Sequence, residues 1–575
     1  PAGPPARAPP LAAPPGQRRG GAFSPPAARG RGLPEGTFSV PAWGLTADGF
    51  FADLDGRAAL DFELARGVAL NTRGRLTSSN GRITYVAAGC TPVTVERLEL
   101  GENDVTAISG NACPIDRPLV SIADGRWRAD GALSGLDASA PFLALHFRDA
   151  RGRFAATGGP AGLGLDARID SATVPDATTP LRFNPLQAAG SARLADEDWT
   201  GAFDLSRDGI GLGRLTLAHD GETGAGGLDI DAPSIVFAEE GLQPADLSPL
   251  AGDFVGSPAT GSVSFQGRID WLAEAEGSSS GRLTIPNLDF VSPAGPVKGL
   301  KGTIDFTSLA PLVTAPGQRL TADVLESVAP LTDIELTFGL DKAGVTVQGG
   351  DLTVAGGLVR VEPFTLPLDR SQPFSGVIVL ENVQLGEIIA GAGFGDKVAL
   401  DAVVSGRLPF TSDPQAGIRI SGGTLAAVQP GRLSIQREAL SGLEAGGGGE
   451  GVPPNTVQDL AYQAMENLSF DILSAQVNSL DEGRIGVLFR IRGRHDPPVH
   501  QELRIGIAEF ISREFLNHEL PLPSGTGIDL TLDTTLNLNQ LIGDLLELNR
   551  ARAGDPSADA AAPPEPEPAD PPWSS

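Results

Sequence analysis

The chain has little of what most catalytic and recognition machineries are built from. Its 575 residues include 2 cysteines, 1 methionine, 5 histidines and 2 tyrosines, and aromatics make up only 5%. So few rings argue against a stacking platform for bases or sugars. Positive charge is also scarce: 43 Lys and Arg stand against 71 Asp and Glu, for a formal net charge of -28. That balance disfavours nucleic acid and anionic membrane surfaces, both of which attract basic patches. Lysine is confined to Lys298, Lys301, Lys342 and Lys397. No uncharged apolar run reaches the roughly 18 residues of a membrane-spanning helix. The opening PAGPPARAPPLAAPPGQRRG has no apolar segment of the signal-peptide kind. With Pro1 in place of Met, the expectation is a fragment or processed chain whose anchor or export signal lay upstream.

Glycine and proline are plentiful, at 74 and 48 residues. In a helix interior they cost about 1 and 3 kcal/mol each, whereas strands joined by frequent turns tolerate them. Hydrophobic residues are 41%, enough to build a core. An acidic, glycine-rich, mainly β chain follows. Its length exceeds the roughly 250–300 residues at which single cores stop growing, so several domains or an elongated repeat-like body are expected. Cys90 and Cys113, in AAGCTP and GNACPID, fit one extracytoplasmic disulfide better than a metal site. Such a bond stabilises by roughly 3 kcal/mol; two free thiols are the alternative.

Composition divides the chain. Residues 1–33 are rich in Pro, Arg and Gly with almost no large apolar side chains, so they are expected to be disordered, as is the acidic, Pro-rich tail 551–575. The Gly-rich stretch 441–455 reads as a loop or linker. Between these breaks the recurring signal is period two. Ile334, Leu336 and Phe338 alternate with polar residues, as do Val398, Leu400, Ala402 and Val404. The same holds for Ile485, Val487, Phe489 and Ile491, and for Ile528, Leu530, Leu532, Thr534, Leu536 and Leu538. This pattern describes strands with one apolar and one wet face. Helical segments at the crossovers are missing, which favours antiparallel pairing over βαβ units. Helical periodicity appears at 456–468, with Met465 in its apolar stripe, at 538–549, and as a short turn near 241–250.

No constellation of chemistry-bearing residues stands out. Gly277-Ser278-Ser279-Ser280-Gly281 matches G-x-S-x-G, but a nucleophile elbow needs an apolar strand before it and a helix after it. Here a polar turn enters a strand. Gly446, Gly448 and Gly451 match G-x-G-x-x-G within a glycine tract, with Pro453 and Pro454 interrupting the approach to the next helix. His495, His500 and the more distant His518 read as a solvated turn region, not a metal site. Neither an enzyme, a cofactor nor a metal is expected. Function is then sought in the apolar face itself. Some 20 to 25 strands at about 4.8 Å each would extend roughly 100 Å. Each Leu or Ile left wet forfeits about 1.5–3 kcal/mol, so the sheet either closes on itself or curls round apolar cargo.

The stretch VKGLKGTIDFTSLAPLVTAPGQRLTADVLESVAPLTDIELTFGL at 297–340 resembles the YdbH family of AsmA-like proteins. Further likenesses are VAGGLVRVEPF at 354–364, ENVQLGEII at 381–389, VSGRLPF at 404–410, ISGGTLAAVQPGRLSI at 420–435 and AYQAMENLSFDILSAQV at 461–477. They cover about 240–550 in the family's order; residues 34–240 fit as generic β structure. The family is also labelled a dicarboxylate transport domain, for which the sequence offers no site.

The resemblance implies a mainly β fold. A long twisted antiparallel sheet would be curled into an elongated open groove, with a few short amphipathic helices near the C-terminal end. Residues 34–240 and 241–440 would form successive parts of that groove, and 456–550 a helix-plus-strands module. It implies a Gram-negative envelope protein that carries phospholipids across the periplasm between inner and outer membrane, with acyl chains in the groove and no covalent chemistry. It further implies an inner-membrane anchor absent from this chain, and an outer-membrane lipoprotein of the YnbE type that adds strands at the C-terminal edge. The candidate groove-facing residues are Ile334, Leu336, Phe338, Val398, Leu400, Ile485, Val487, Phe489, Ile491, Ile528, Leu530 and Leu532. The competing reading is a structural or interaction protein of the envelope, in which the same residues fill a closed β-sandwich or solenoid core.

Overall fold

The computed structural model describes residues 18–19, 27–30 and 33–537. Excepted within the last range are 63, 100–102, 161, 273–274, 293–294, 328, 370, 394, 415–416, 438–456, 481–483 and 503–520. The tail 551–575, the 441–455 stretch with its G-x-G-x-x-G match, His518 and the helical periodicity at 538–549 lie outside the described residues. Within the 1–33 segment, Arg18–Arg19 and Ala27–Gly30 pair as short strands with Leu33–Thr46.

The protein is mainly β. Among the described residues, 34 strands belong to one antiparallel sheet. That exceeds the 20 to 25 strands suggested by alternation, because pieces such as Gly357–Val361 and Gly423–Ala427 are too short to show a period. Helices are few and short: a 3₁₀ turn at Pro141–Leu143, α1 (Pro244–Leu247), α2 (Pro249–Phe254), α3 (Leu385–Gly391) and α4 (Val457–Glu466). Pro244 and Pro249 open α1 and α2, where a missing N–H costs nothing. The Ser248 hydroxyl caps α2 by accepting from the Ala251 N–H at 3.3 Å.

The chain divides into two compact units. One runs to Val255 and includes Ser262–Thr284 and Asp305–Val313; the other comprises Gly256–Gly261, Ile285–Ile304 and the chain from Thr314. In the first, seven consecutive strands form a meander: β1 (Arg126–Ala140), β2 (Leu145–Gly159), β3 (Gly162–Val174), β4 (Leu186–Ala195), β5 (Asp198–Arg207), β6 (Ile210–His219) and β7 (Gly226–Phe237). Local chemistry sets their reversals. Asp208 and Gly209, between β5 and β6, both have positive φ (49° and 83°). Two such residues make the turn whose twist matches paired strands. Cys90 and Cys113 form a disulfide that ties the residue before strand Thr91–Leu98 to the end of strand Val105–Cys113.

In the second unit the core gathers around β10 (Phe374–Gln384), β11 (Val398–Asp401), β12 (Val403–Asp413), β14 (Gly431–Ile435), β15 (Leu468–Ser479) and β16 (Arg484–His495). Also in this unit are β9 (Leu331–Leu340), β13 (Gly423–Ala427) and β17 (Gly527–Asn537). Tyr462 and Met465 of α4 pack into that core, so Met465 is a packing residue.

Candidate functional site

Strict alternation assigns each residue of a strand to one face, and register then fixes its neighbours. Across β1–β7, Gly131, Phe154, Ala167, Ala192, Gly201, Leu217 and Leu228 stand opposite one another in a single row. A flanking row on the same face runs through Leu133, Gly152, Ile169, Gly190, Phe203, Leu215 and Ile230. The row on the other flank includes Leu165, Leu194, Trp199 and His219. None of the three rows contains Asp, Glu, Lys or Arg. Phe154, Leu165, Ile169, Phe203, Leu215, Leu217 and Ile230 are only half-buried. An apolar face left in this state forfeits part of the roughly 1.5–3 kcal/mol available to each large side chain. Partly uncovered apolar surface of this kind is a candidate binding surface.

The face is concave towards one end. Phe142, from the turn between β1 and β2, meets the Trp271 ring edge-on at 5.4 Å. Trp271, on β8 (Ala259–Leu272), donates its Nε1–H to Nδ1 of His219 on β6 at 3.1 Å. On a flat sheet, β2 and β6 would lie about 19 Å apart at four spacings of about 4.8 Å. Yet Leu145 and Phe147 of β2 share one cluster with Leu215 and Leu217 of β6, so strands and turn curl over the apolar face. Gly226 is required here: a Cβ on it would lie 2.5 Å from the Trp271 ring. Burial pushes the His219 pKa down, against the opposing pull of Asp220 and Asp198.

A buried ion pair pins the closing turn. Asp176 accepts from Arg182 Nε at 3.0 Å and Nη2 at 2.5 Å, and Arg182 also donates to the carbonyls of Leu143, Ala144 and Leu309. Burial acts to raise the Asp176 pKa. Hydrogen bonds from the Arg182 side chain, the Thr178 hydroxyl and the Arg182 N–H outweigh it and hold the carboxyl below its ordinary value.

Charge is kept to the opposite face. Arg75 pairs with Asp53 at 2.7 Å, and Arg268 with Asp229 at 2.7 Å and Asp270 at 2.6 Å. Arg360 bridges Asp351 and Glu381, each at 3.0 Å. Hydrogen bonds to Asp270 and Asp229 raise the Arg268 pKa above its ordinary value. Several arginines are thus neutralised by acids on the wet face, most of them on neighbouring strands.

The second unit treats its apolar face differently. Phe470 and Val383 are 0% exposed, Leu468 1% and Val404 2%. Of the residues singled out in the sequence, Ile491 is buried in this core, with Val398, Leu400, Phe489, Ile528 and Leu530 half-buried against it. Ile485 and Val487 are buried in an adjoining cluster with Ala475 and Val477, against Leu408, Ile420, Leu425 and Phe489. Neither cluster includes Ile334, Leu336, Phe338 or Leu532. The first three lie on β9 opposite Ala322, Leu320 and Gln318, and Leu532 stands opposite Phe489. The half-buried positions of β1–β7 escaped the sequence reading. Their rows mix Leu, Ile and Phe with Gly and Ala, which dilutes the alternation of any one strand; only register across strands reveals them.

The motif matches take structural roles. Ser279 lies within the strand Ala275–Ser292, not at a strand-to-helix turn, and its hydroxyl accepts from the Leu309 N–H at 2.9 Å. His495 is 2% exposed, whereas His500 is exposed and stands 3.8 Å from Glu502. Among the described residues no group of three or more His, Cys, Asp or Glu is placed to hold a metal ion. No helix among them is long and apolar enough to cross a membrane.

No curated protein matches the chain. The family model described as YdbH-like, intermembrane phospholipid transport protein YdbH, matches residues 45–504. That span includes the uncharged rows of β1–β7 as well as the covered core of the second unit, and the chain belongs to the YdbH-like family of intermembrane phospholipid transport proteins.

Proposed function

We propose that the chain is a conduit carrying phospholipids between the inner and outer membranes across the periplasm, with acyl chains on the uncharged apolar face and headgroups in water. The observation that carries this reading is the set of three charge-free rows across β1–β7, half-buried and bent round by the Phe142 turn. Aliphatic chains gain about 0.8 kcal/mol per CH₂ removed from water, so such a face holds lipid without covalent chemistry or a cofactor. On this reading Ile334, Leu336 and Leu532, outside the covered clusters, face lipid in the second unit. Val398, Leu400, Ile485, Val487, Phe489, Ile491, Ile528 and Leu530 pack the core of that unit, and Phe338 is buried. An inner-membrane anchor, and a YnbE-like outer-membrane lipoprotein pairing by strand addition at the C-terminal edge, complete the bridge.

A second reading has its own support. The dry core around Phe470 and Val383 is what a structural envelope protein with a closed β core and no lipid cargo would show. Mass spectrometry of the chain purified in folded form from a Gram-negative envelope separates the two. The conduit predicts co-purifying phospholipid in amounts comparable to the protein. A folded, lipid-free sample rejects it in favour of the structural reading.

A further inference from the structure

The polar face of β1–β7 holds a feature that the transport reading does not use. An open cavity of about 880 Å³ lies there, and five arginines, Arg117, Arg128, Arg153, Arg168 and Arg193, line it against two aspartates, Asp130 and Asp166. The local sign is opposite to that of the chain as a whole, whose net charge is -28. Arg128 pairs with Asp130 at 2.6 Å, Arg168 with Asp170 at 3.2 Å, and Arg193 reaches Asp166 at 3.7 Å. Arg117 and Arg153 make no ion pair among the described residues.

Register sharpens the point. Arg153 and Arg168 stand directly opposite each other on β2 and β3. Like charges so placed destabilise a strand pair. Elsewhere on this kind of face arginines meet acids, as Arg319 meets Glu335 and Arg75 meets Asp53. Ser191 continues the row beyond Arg168, and Thr200 and Thr216 add further hydroxyls to the cavity. A locally unfavourable arrangement of charge beside hydroxyl donors is what an absent anion would resolve.

We propose that this cavity binds a phosphate group, recognised by Arg153 and Arg168 with Arg117 and the Ser191 hydroxyl. Guanidinium forks match phosphate oxygens bidentately, and so many donors exceed what the two oxygens of one carboxylate accept. Phe154 follows Arg153 and belongs to the apolar row, so the cavity opens on the opposite side of the sheet from the lipid-facing rows. The phosphate is therefore not that of a lipid lying in the groove. It belongs either to a soluble phosphorylated molecule or to headgroups of an anionic bilayer against the polar face.

Calorimetry of the full chain with inorganic phosphate and glycerol phosphate tests the first source. Flotation with phosphatidylcholine vesicles, with and without phosphatidylglycerol, tests the second. Saturable binding in either arm is expected, weakened about tenfold or more by Arg153→Gln with Arg168→Gln, as loss of charge-assisted pairs demands. Arg407→Gln, which removes a partner of Glu362 in the second unit, should bind as the parent does. Without ligand the double variant should melt no lower than the parent, because it also removes the like-charge pair. Binding of soluble phosphate assigns the site to free anions; binding of phosphatidylglycerol vesicles alone assigns it to headgroups. A parent chain that binds neither, or a double variant that binds as tightly as the parent, overturns the proposal.

Discussion

Strands β1–β7 and strands β12–β17 follow the same alternation of apolar and polar residues, yet they finish it in opposite ways. In the second set, Phe470, Leu473, Val487 and Ile491 are buried, and α4 supplies Tyr462 and Met465 to the core. In the first, Phe154, Phe203, Leu215 and Leu217 stay half-buried; the turn Pro141–Leu143 and Trp271 join Leu215 and Leu217 in one cluster that does not include Phe154 or Phe203. Cover from outside the strands underlies the difference: α4 packs onto the second set, whereas glycines of the first are overlain by neighbours on the same face, the Phe154 ring on Gly131 and the Phe203 ring on Gly201. A face left partly uncovered by its own chain is suited to hold something else.

Perturbations of the two regions should therefore separate stability from lipid occupancy. The largest expected loss of stability is at the covered core. Phe470→Ala should cost about 3–5 kcal/mol in chemical denaturation, with lipid bound per folded molecule little changed. Asp176→Asn strands Arg182 in a buried site and should cost about 3–5 kcal/mol, confined to the first unit. Because the folded Asp176 pKa is depressed, its contribution is present above the unfolded value. It is lost as pH falls from about 4 towards the folded value, and the Asn variant should lack that acid-dependent loss. Replacing Cys90 and Cys113 by serine should lower stability by roughly 3 kcal/mol, measured against the parent under oxidising conditions.

On the open face the order reverses. Phe203→Ser should cost roughly 1–2 kcal/mol of stability, less than the core substitution, yet reduce co-purified phospholipid several-fold. The smallest effect concerns His219. Its folded pKa is lowered by burial, so its contribution is complete above the unfolded value and erodes as pH drops below about 6.5. His219→Gln should flatten melting temperature between neutral and mildly acid pH. An unchanged slope would remove His219 from the closing cluster.

Much of the architecture was legible. Period two at Ile485–Ile491 and Ile528–Leu532 marks β16 and β17, and the 456–468 stripe coincides with α4. Which alternating face is covered was not legible, because cover comes from residues distant in sequence, such as Tyr462 of α4 in one cluster with Leu433 and Val383. Nor could the Asp176–Arg182 clamp be seen, since an Asp and an Arg six residues apart are commonplace in an acidic loop. The arginine cavity was hidden by averaging: net charge sums the whole chain, while register alone places Arg153 against Arg168.

The central claim is that lipid lies on one face of β1–β7. The most direct measurement is photocrosslinking from single positions on the two faces, with Phe203 and Leu165 on the apolar rows against Gln187 and Asp204 on the polar face, away from the arginine cavity. Phospholipid adducts at Phe203 and Leu165 and none at Gln187 or Asp204 are predicted. Equal labelling of both faces, or no lipid adduct at any of the four in folded protein, would contradict it.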